Sequence, residues 1–431
     1  KDLHALAGQA RAAAWELAAC PIEKRNAALL AMARELEAEK ATIFAANEID
    51  LAAAEGDGLA APLVKRLRFG EEKLHAVLDG LHALADLPDP IGKTTLSREL
   101  TPGLNLYRVT CPIGVVGVIF ESRPDALVQI ASLCLKSGNA VLLKGGREAL
   151  HTNEALFDIM NDASVATGLP DGWCGLLTTR EDVSVMLKMD EDIELIIPRG
   201  SNAFVRYIME NSSIPVLGHS DGVCHVYVDA DCDAQMAARI VVDAKTQYPA
   251  ACNAAEMLLV HSGQLAGALP AIAKALTEAG VTLRADERAR AALYAAGIAS
   301  EAADESDWGR EYLALTMAVH TVDSIEEAIA FINKHGSHHT DCIITRDEAA
   351  AGKFFALVDS AGVYQNCSTR FADGYRYGFG AEVGISTGKI HARGPMGLEG
   401  LCSYKYILRG HGDIVGDFAA GRRSFTHQKL L

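Results

Sequence analysis

From Gly114 onward the sequence alternates between two patterns, and that alternation limits the fold more than any other feature. GVVGVIF is a short, wholly apolar run; RPDALVQIASLCLKSG carries apolar residues at helical spacing, with Pro124 near its start and Gly138 at its end; NAVLLKG is apolar again. A strand without polar alternation must be covered on both faces, which happens in parallel sheets whose crossovers are helices. The pattern continues with a helix from about Glu148, the run IELIIP, the helix NAFVRYIMENS and the strands IPVLG and CHVYVD. A second series starts at Asp233 with a helix to about Thr246, a loop holding Cys252, and then EMLLVH, QLAGALPAIAKALTEAG, VTLRA, EYLALTMAVHTV, SIEEAIAFINKHG, DCIITRD and a helix ending near Val358. The expected fold is α/β, with two consecutive open parallel-sheet domains. Cys252, at the start of the second, is expected over a cleft between them, where ligands bind.

The first 90 or so residues read as helices, closed by Pro88, Pro90 and Gly92, and TTLSREL and LNLYRVTCPI follow as a two-stranded excursion. After Tyr364 the periodicity gives way to NCSTRFADGYRYGFGAEVGISTGKIHARGPMGLEGL, rich in Gly, Arg, Ser and Thr. Loops of that composition carry function more often than packing.

Several function classes are disfavoured. Lys and Arg total 40 against 56 Asp and Glu, with no long basic run, so nucleic acid is not an expected partner. The apolar runs fall well short of the roughly 20 residues that span a bilayer, and the charged, Ala-rich start does not read as a signal peptide, so a cytoplasmic protein is expected. The ten cysteines include no C-x-x-C pair, which argues against a zinc ribbon and a disulfide framework. HGSHHTD supplies His335, His338 and His339 but no i,i+4 pair on a clear helix, and no metal is expected.

Within YPAACNAAE, Cys252 stands between small side chains, and two readings compete: a buried cysteine acting as a small hydrophobe, or a thiolate held open for chemistry. GFGAEVG looks like a dinucleotide fingerprint but lacks the preceding apolar strand and following helix that such a site needs, and it reads as a loop. In IELIIPRGSNAFVRYI, an apolar strand turns through Gly200 and Ser201 into a helix whose first amides suit a phosphate. Lys144, followed by Gly145 and Gly146, falls at the carboxyl edge of a parallel strand, the usual ligand side.

Taken together, GVVGVIFESRPDA, GNAVLLKGGREA, IIPRGSN, KTQYPAACNAAEMLLVH, EYLALTMAVHTV and STRFADGYRYGFGAEVGISTGKIHARGPMGLEGL resemble the gamma-glutamyl phosphate reductases, also called glutamate-5-semialdehyde dehydrogenases, a branch of the aldehyde dehydrogenase superfamily. The resemblance runs from about Leu3 to Lys405. It implies an aldehyde-dehydrogenase-like fold: an NADPH-binding domain over 1–228 with roughly 365–395 returning to it, a catalytic domain over 229–364, and a small β oligomerisation element over 94–110 and 396–412. It also implies NADPH-dependent reduction of L-glutamyl 5-phosphate to the semialdehyde through a thioester on Cys252, in proline biosynthesis. A thiol suits the reaction because sulfur attacks an acyl phosphate and expels phosphate.

The resemblance assigns further roles. The Cys252 amide, with Asn253 as the nearest side-chain candidate, would hold the oxyanion. Lys144 would contact the adenosine ribose and suit the extra phosphate of NADPH, Gly200 and Ser201 would face the pyrophosphate, and Glu311 would hold the nicotinamide ribose. For the substrate, Arg370 with Ser368 and Thr369, and Arg393, are the anion-binding candidates. Asn366 and Glu382 are lesser ones, and Arg123 is an alternative for the phosphate. The glutamate with which acid-forming aldehyde dehydrogenases activate water would fall near Leu217 or Gly218, where none stands; His219 beside it is an alternative base. The resemblance further implies a homodimer or homotetramer, through residues 94–110 pairing with the stretch near Tyr404 to Leu408, and a possible hand-off of substrate from glutamate kinase. A coenzyme-A-acylating aldehyde dehydrogenase is the near alternative; a cofactor-free cysteine hydrolase and a non-catalytic binding module are the distant ones.

Overall fold

The computed structural model describes residues 3–59, 61–178 and 181–430. The chain forms two compact units, the first comprising Lys1–Leu217, Gly380–Gly384 and Met396–Leu431, the second Gly218–Phe379 and Ile385–Pro395.

The first unit opens with helices Leu3–Ala18, Ile22–Ala38, Lys40–Gly56, Ala61–Leu67 and Glu71–Asp86. Their apolar stripes meet, and one buried cation ties them to later elements: Arg25 donates to Asp89 Oδ2 at 2.7 Å, to the Cys20 carbonyl at 3.1 Å and to the Lys136 carbonyl. A four-stranded parallel sheet follows, in the order Cys174–Leu177, Ala140–Lys144, Val115–Phe120, Leu195–Arg199. Every residue of Val115–Phe120 and Ala140–Lys144 is buried, as their unbroken apolar runs require. Ile119 pairs with Lys144 on one side and with Pro198 on the other, so Lys144 and Arg199 reach the same carboxyl edge.

A separate antiparallel sheet holds the strands Cys402–Arg409, Leu104–Pro112, Thr94–Thr101 and Gln428–Lys429 in that order. Tyr404 pairs with Thr110 and Leu408 with Leu106. Tyr404, Tyr406 and Leu408 are each more than half exposed, leaving an apolar stripe along this strand.

The second unit is built on a seven-stranded parallel sheet ordered Glu301–Ala302, Thr282–Ala285, Thr316–Val322, Ala255–His261, Cys224–Val228, Thr340–Ile344, Gly362–Gln365. Side chains alternate between its faces, so Val226, Val228, Leu258 and Ile344 join one core, while Tyr227, Met257, Leu259 and Ile343 join the other.

The structure departs from the sequence reading in several places. Cys224–Val228, expected at the end of the first domain, pairs with Ala255–His261 and Thr340–Ile344 and so belongs to the second unit. The stretch expected to return to the first domain over 365–395 also lies in the second unit, apart from Gly380–Gly384. IPVLG forms a single bridge, Ile196 to Val216, rather than a strand, since Pro215 has no amide to extend a ladder. EYLALTMAVHTV is a strand only over Thr316–Val322; Leu313 takes φ 54°, a left-handed conformation incompatible with a strand, so Glu311 lies in a loop. GFGAEVG, by contrast, agrees with its reading as a loop, since no helix follows it.

Candidate active site

Helix Ala234–Thr246 starts where Asp233 accepts the Met236 amide at 2.9 Å. In its last turn Lys245 donates to Glu256 Oε2 at 2.6 Å, and neither side chain is exposed. Glu256 lies near the start of strand Ala255–His261, so the pair clasps the two ends of the loop containing Cys252. Burial pushes the Glu256 carboxyl up to about 7 against the pull of the Lys245 cation, and burial likewise pushes the Lys245 ammonium down.

Within that loop the turn is fixed from three sides. A Cβ on Gly222 would come 2.2 Å from the Cys252 carbonyl oxygen and 2.4 Å from its Cα, so only glycine fits there. Asn253 donates from Nδ2 to the Ala372 carbonyl at 2.9 Å, and its own carbonyl accepts the Thr369 hydroxyl at 2.7 Å. STRF is therefore stitched to the Cys252 turn. Asn253 commits one of its two amide hydrogens to Ala372, while its Oδ1 is buried without a hydrogen-bond partner.

Five of the ten cysteines are buried and five, Cys252 among them, are half-buried, so exposure alone does not separate the two readings of Cys252. Burial pushes the thiols of Cys134, Cys174, Cys224, Cys342 and Cys402 up, Cys342 to about 12, which keeps them protonated. Cys252 is only half-buried. Its sulfur and one nitrogen each from His219 and His339 all lie within 4.8 Å of one another.

Each imidazole is anchored through Nδ1. His219 Nδ1 sits 2.9 Å from the Ile385 carbonyl, which can only accept, so Nδ1 carries a proton. His339 Nδ1 pairs with Thr340 Oγ1 at 2.9 Å, while its Nε2 is buried without a partner. The rings meet edge to face at 4.9 Å between centroids. Burial, and secondarily the neighbouring His219, push the His339 pKa down to about 3, so this imidazole is neutral at ordinary pH.

The remaining expected residues of the second unit have these settings. Glu311 Oε1 accepts the Gly222 amide at 3.0 Å, which ties it to the segment packed against Cys252. Arg370 donates from Nε to Gln247 Oε1 at 2.8 Å and lies over the Tyr248 ring. Burial lowers its pKa, the Arg376 charge adds to that, and a Coulombic interaction with Cys252 opposes it. Ser368 Oγ accepts the Arg370 amide at 3.3 Å, opening the short turn Thr369–Phe371. Asn366, at φ 55°, spends both ends of its amide on the Thr345 backbone, and Arg393 binds Asp359 Oδ1 at 3.0 Å. Asn366 and Ser368 also line a groove of about 920 Å³ with Arg239, Cys367 and Phe371.

In the first unit, Lys144 is buried at the carboxyl end of its strand and donates to the Gly145 carbonyl. The turn through Gly200 opens helix Asn202–Asn211, and the Ser201 amide binds the Glu121 carboxylate at 2.9 Å. Arg123 precedes helix Pro124–Lys136 and pairs with Asp125 at 3.2 Å, largely in solvent; Glu382 is half-buried.

Residues 1–306 match the aldehyde dehydrogenase family. A gamma-glutamyl phosphate reductase of Pelotomaculum thermopropionicum is 56% identical over 429 residues, covering 100% of this chain and 98% of that protein. The chain belongs to the gamma-glutamyl phosphate reductases. Another gamma-glutamyl phosphate reductase, from Acetivibrio thermocellus, is 55% identical across 99% of this chain and 97% of its own. The crystal structure of gamma-glutamyl phosphate reductase from Thermotoga maritima superposes with a TM-score of 0.93 at 36% identity, covering 96% of this chain and 100% of that one. An acetylating aldehyde dehydrogenase from Geobacillus thermoglucosidasius, at 17% identity and a TM-score of 0.63, shares the fold.

As a gamma-glutamyl phosphate reductase this chain is an oxidoreductase of proline biosynthesis that works with a nicotinamide cofactor. Among the described residues, no helix is long and apolar enough to cross a membrane. Sequence reasoning missed the pairing of His219 with His339 and the buried Lys245–Glu256 clasp. His219 and His339 lie 120 residues apart, and the clasp closes across an irregular loop of which neither residue's spacing gives a sign.

Proposed function

We propose that this chain reduces L-glutamyl 5-phosphate to L-glutamate 5-semialdehyde and phosphate, with NADPH as reductant and Cys252 as nucleophile. The observation that carries the proposal is the setting of Cys252: a half-buried thiol on a turn fixed by Gly222, Asn253 and Thr369, with an imidazole nitrogen from each of two histidines within 4.8 Å of its sulfur. His219 takes the thiol proton on Nε2. The thiolate attacks the acyl phosphate carbonyl, a carbon–sulfur bond forms, and the carbon–oxygen bond to phosphate breaks with phosphate carrying off the electron pair. The Cys252 backbone amide is the donor assigned to the developing oxyanion, and Asn253, tied to Ala372, holds the turn that aims it.

A reduced nicotinamide, when bound, supplies the hydride that turns the thioester into the aldehyde. Collapse of the resulting oxyanion returns sulfur as thiolate, so no further proton transfer is needed before the next turnover. The expected cofactor residues suit such a group. Lys144 is a buried cation at a sheet's carboxyl edge, and the Ser201 amide at a helix start already donates to an anionic partner, the Glu121 carboxylate. Glu311 is assigned to the nicotinamide ribose.

Arg370, with Ser368 and Thr369, is assigned to a substrate anion, because its cation interacts with Cys252 and its segment is bonded to the nucleophile turn. Arg393, Asn366, Glu382 and Arg123 are secondary assignments. Asn366 serves first as a brace, since both ends of its amide are spent on Thr345.

We further assign self-association to the antiparallel sheet, whose strand Cys402–Arg409 leaves Tyr404, Tyr406 and Leu408 uncovered. Acyl phosphates hydrolyse readily, which favours a cytoplasmic site of action close to the kinase that makes the substrate.

The test is Cys252→Ala and Cys252→Ser. Both should lose reduction of the acyl phosphate while still binding NADPH, followed by the cofactor's fluorescence. Normal turnover by the alanine variant would refute the assignment.

A further inference from the structure

The nucleophile's surroundings have the composition of a metal site. Cys252 Sγ and one nitrogen each from His219 and His339 lie within 4.8 Å of one another. In a tetrahedral zinc site, with Zn–S near 2.3 Å and Zn–N near 2.0–2.1 Å, the ligand atoms stand about 3.3–3.7 Å apart. The observed trio needs a contraction of roughly 1 Å to reach that spacing. Cys252 and His219 are only half-buried, so rotation of their side chains can supply it.

Two independent features point to a ligand at this place. His339 is 1% exposed, yet its Nε2 has no hydrogen-bond partner, so a buried ring nitrogen stands unsatisfied. Both imidazoles are also held through Nδ1, by the Ile385 carbonyl and by the Thr340 hydroxyl, the way metal-bound histidines are oriented by their outer partners. The trio contains no carboxylate, and a sulfur with two imidazoles favours zinc or copper over magnesium or calcium.

We propose that Cys252, His219 and His339 bind a thiophilic divalent ion, zinc above all, and that binding caps the nucleophile and reversibly stops the enzyme. The thiol gives its proton to solvent as the metal–sulfur bond forms, and the fourth position is left to water. The consequence for turnover rests on Cys252 being the nucleophile; the binding itself does not.

The probe is Co²⁺, added to the full chain, reduced and free of other metals. One equivalent should produce a near-ultraviolet sulfur-to-cobalt band and the visible bands of a tetrahedral ion, which zinc then displaces. Cys252→Ser should abolish the ultraviolet band, and His219→Gln and His339→Gln should each weaken binding about tenfold or more. Zinc at the same stoichiometry should stop acyl phosphate reduction, and a chelator should restore it. Should the buried His339 variant fail to fold, judged by circular dichroism, the His219 variant decides alone. Absence of the sulfur band, its survival in Cys252→Ser, or unchanged affinity in the folded histidine variants would overturn the inference. A cobalt band in a chain that reduces no acyl phosphate would uphold the metal site and refute the functional reading; turnover without a band would do the reverse.

Discussion

Gly222 presses against the backbone of Cys252 so closely that a methyl group in its place would lie 2.4 Å from the cysteine's Cα. The obstruction is backbone, which cannot swing aside as a side-chain tip can. Gly222→Ala must therefore push the Cys252 turn out of place and disturb the amide that Glu311 accepts. A displacement of about 1 Å at a reacting atom costs on the order of a hundredfold in rate. The variant should show that loss in kcat/KM with a near-native circular dichroism spectrum; wild-type kinetics would show that the contact is not needed.

The Lys245–Glu256 pair makes a separate prediction about stability. Both groups are fully buried, so removing one charge strands the other. Glu256→Gln should destabilise the chain by about 3–5 kcal/mol in urea unfolding, whereas the double replacement Lys245→Met with Glu256→Leu should recover most of that. Equal losses in the single and double variants would mean that the cost comes from packing rather than from an unpaired charge.

How much of this was legible in the sequence depends on the range over which each feature acts. The parallel sheets were legible because full burial on both faces imposes unbroken apolar runs such as VVGVIF and AVLLK. The limits of the second unit were not, because Cys224–Val228 owes its place to partners at Ala255–His261 and Thr340–Ile344. Strand Thr316–Val322 was read too long for a local reason, the left-handed turn at Leu313, which its side chain does not advertise. The α/β pattern placed Cys252 in a loop on the ligand side, but its reading as the nucleophile came only through the family resemblance. Its histidine neighbours were invisible because His219 and His339 meet only in the folded chain.

A pH dependence follows from Lys136. It is fully buried, with Nζ bonded to the Ala85 carbonyl at 3.0 Å and to Asn26 at 2.8 Å. Burial, aided by the Arg25 charge, lowers its pKa from 10.5 to about 8. Below pH 8 the lysine is charged in both states, and the folded state bears a cost of about 3 kcal/mol. Between pH 8 and 10.5 the unfolded chain holds the extra proton, so stability rises with pH. Measured against Lys136→Met, the wild-type chain should therefore gain about 3 kcal/mol across that window; parallel stability curves would contradict it.

Asp50 supplies a cap that helix Leu150–Ala166 lacks locally. Its carboxylate accepts the Thr152 amide at 2.8 Å, the Thr152 hydroxyl at 2.6 Å and the His151 amide at 3.2 Å, while Ala149 at the N-cap offers no side-chain bond. Asp50→Ala should cost about 2–3 kcal/mol, and Asp50→Asn less, since the amide oxygen still accepts. Unfolding in urea of both variants tests this, and equal stability of all three chains would contradict it.

The central claim is that Cys252 passes an acyl group between phosphate and hydride chemistry, and the reverse reaction tests it most directly. Glutamate semialdehyde would be supplied with NADP+ or NAD+, with and without inorganic phosphate, and formation of reduced nicotinamide followed by absorbance. The account predicts oxidation that requires phosphate, proceeds better with NADP+ and vanishes in Cys252→Ala. Oxidation at the full rate without phosphate would mean that water accepts the acyl group, and would contradict the account.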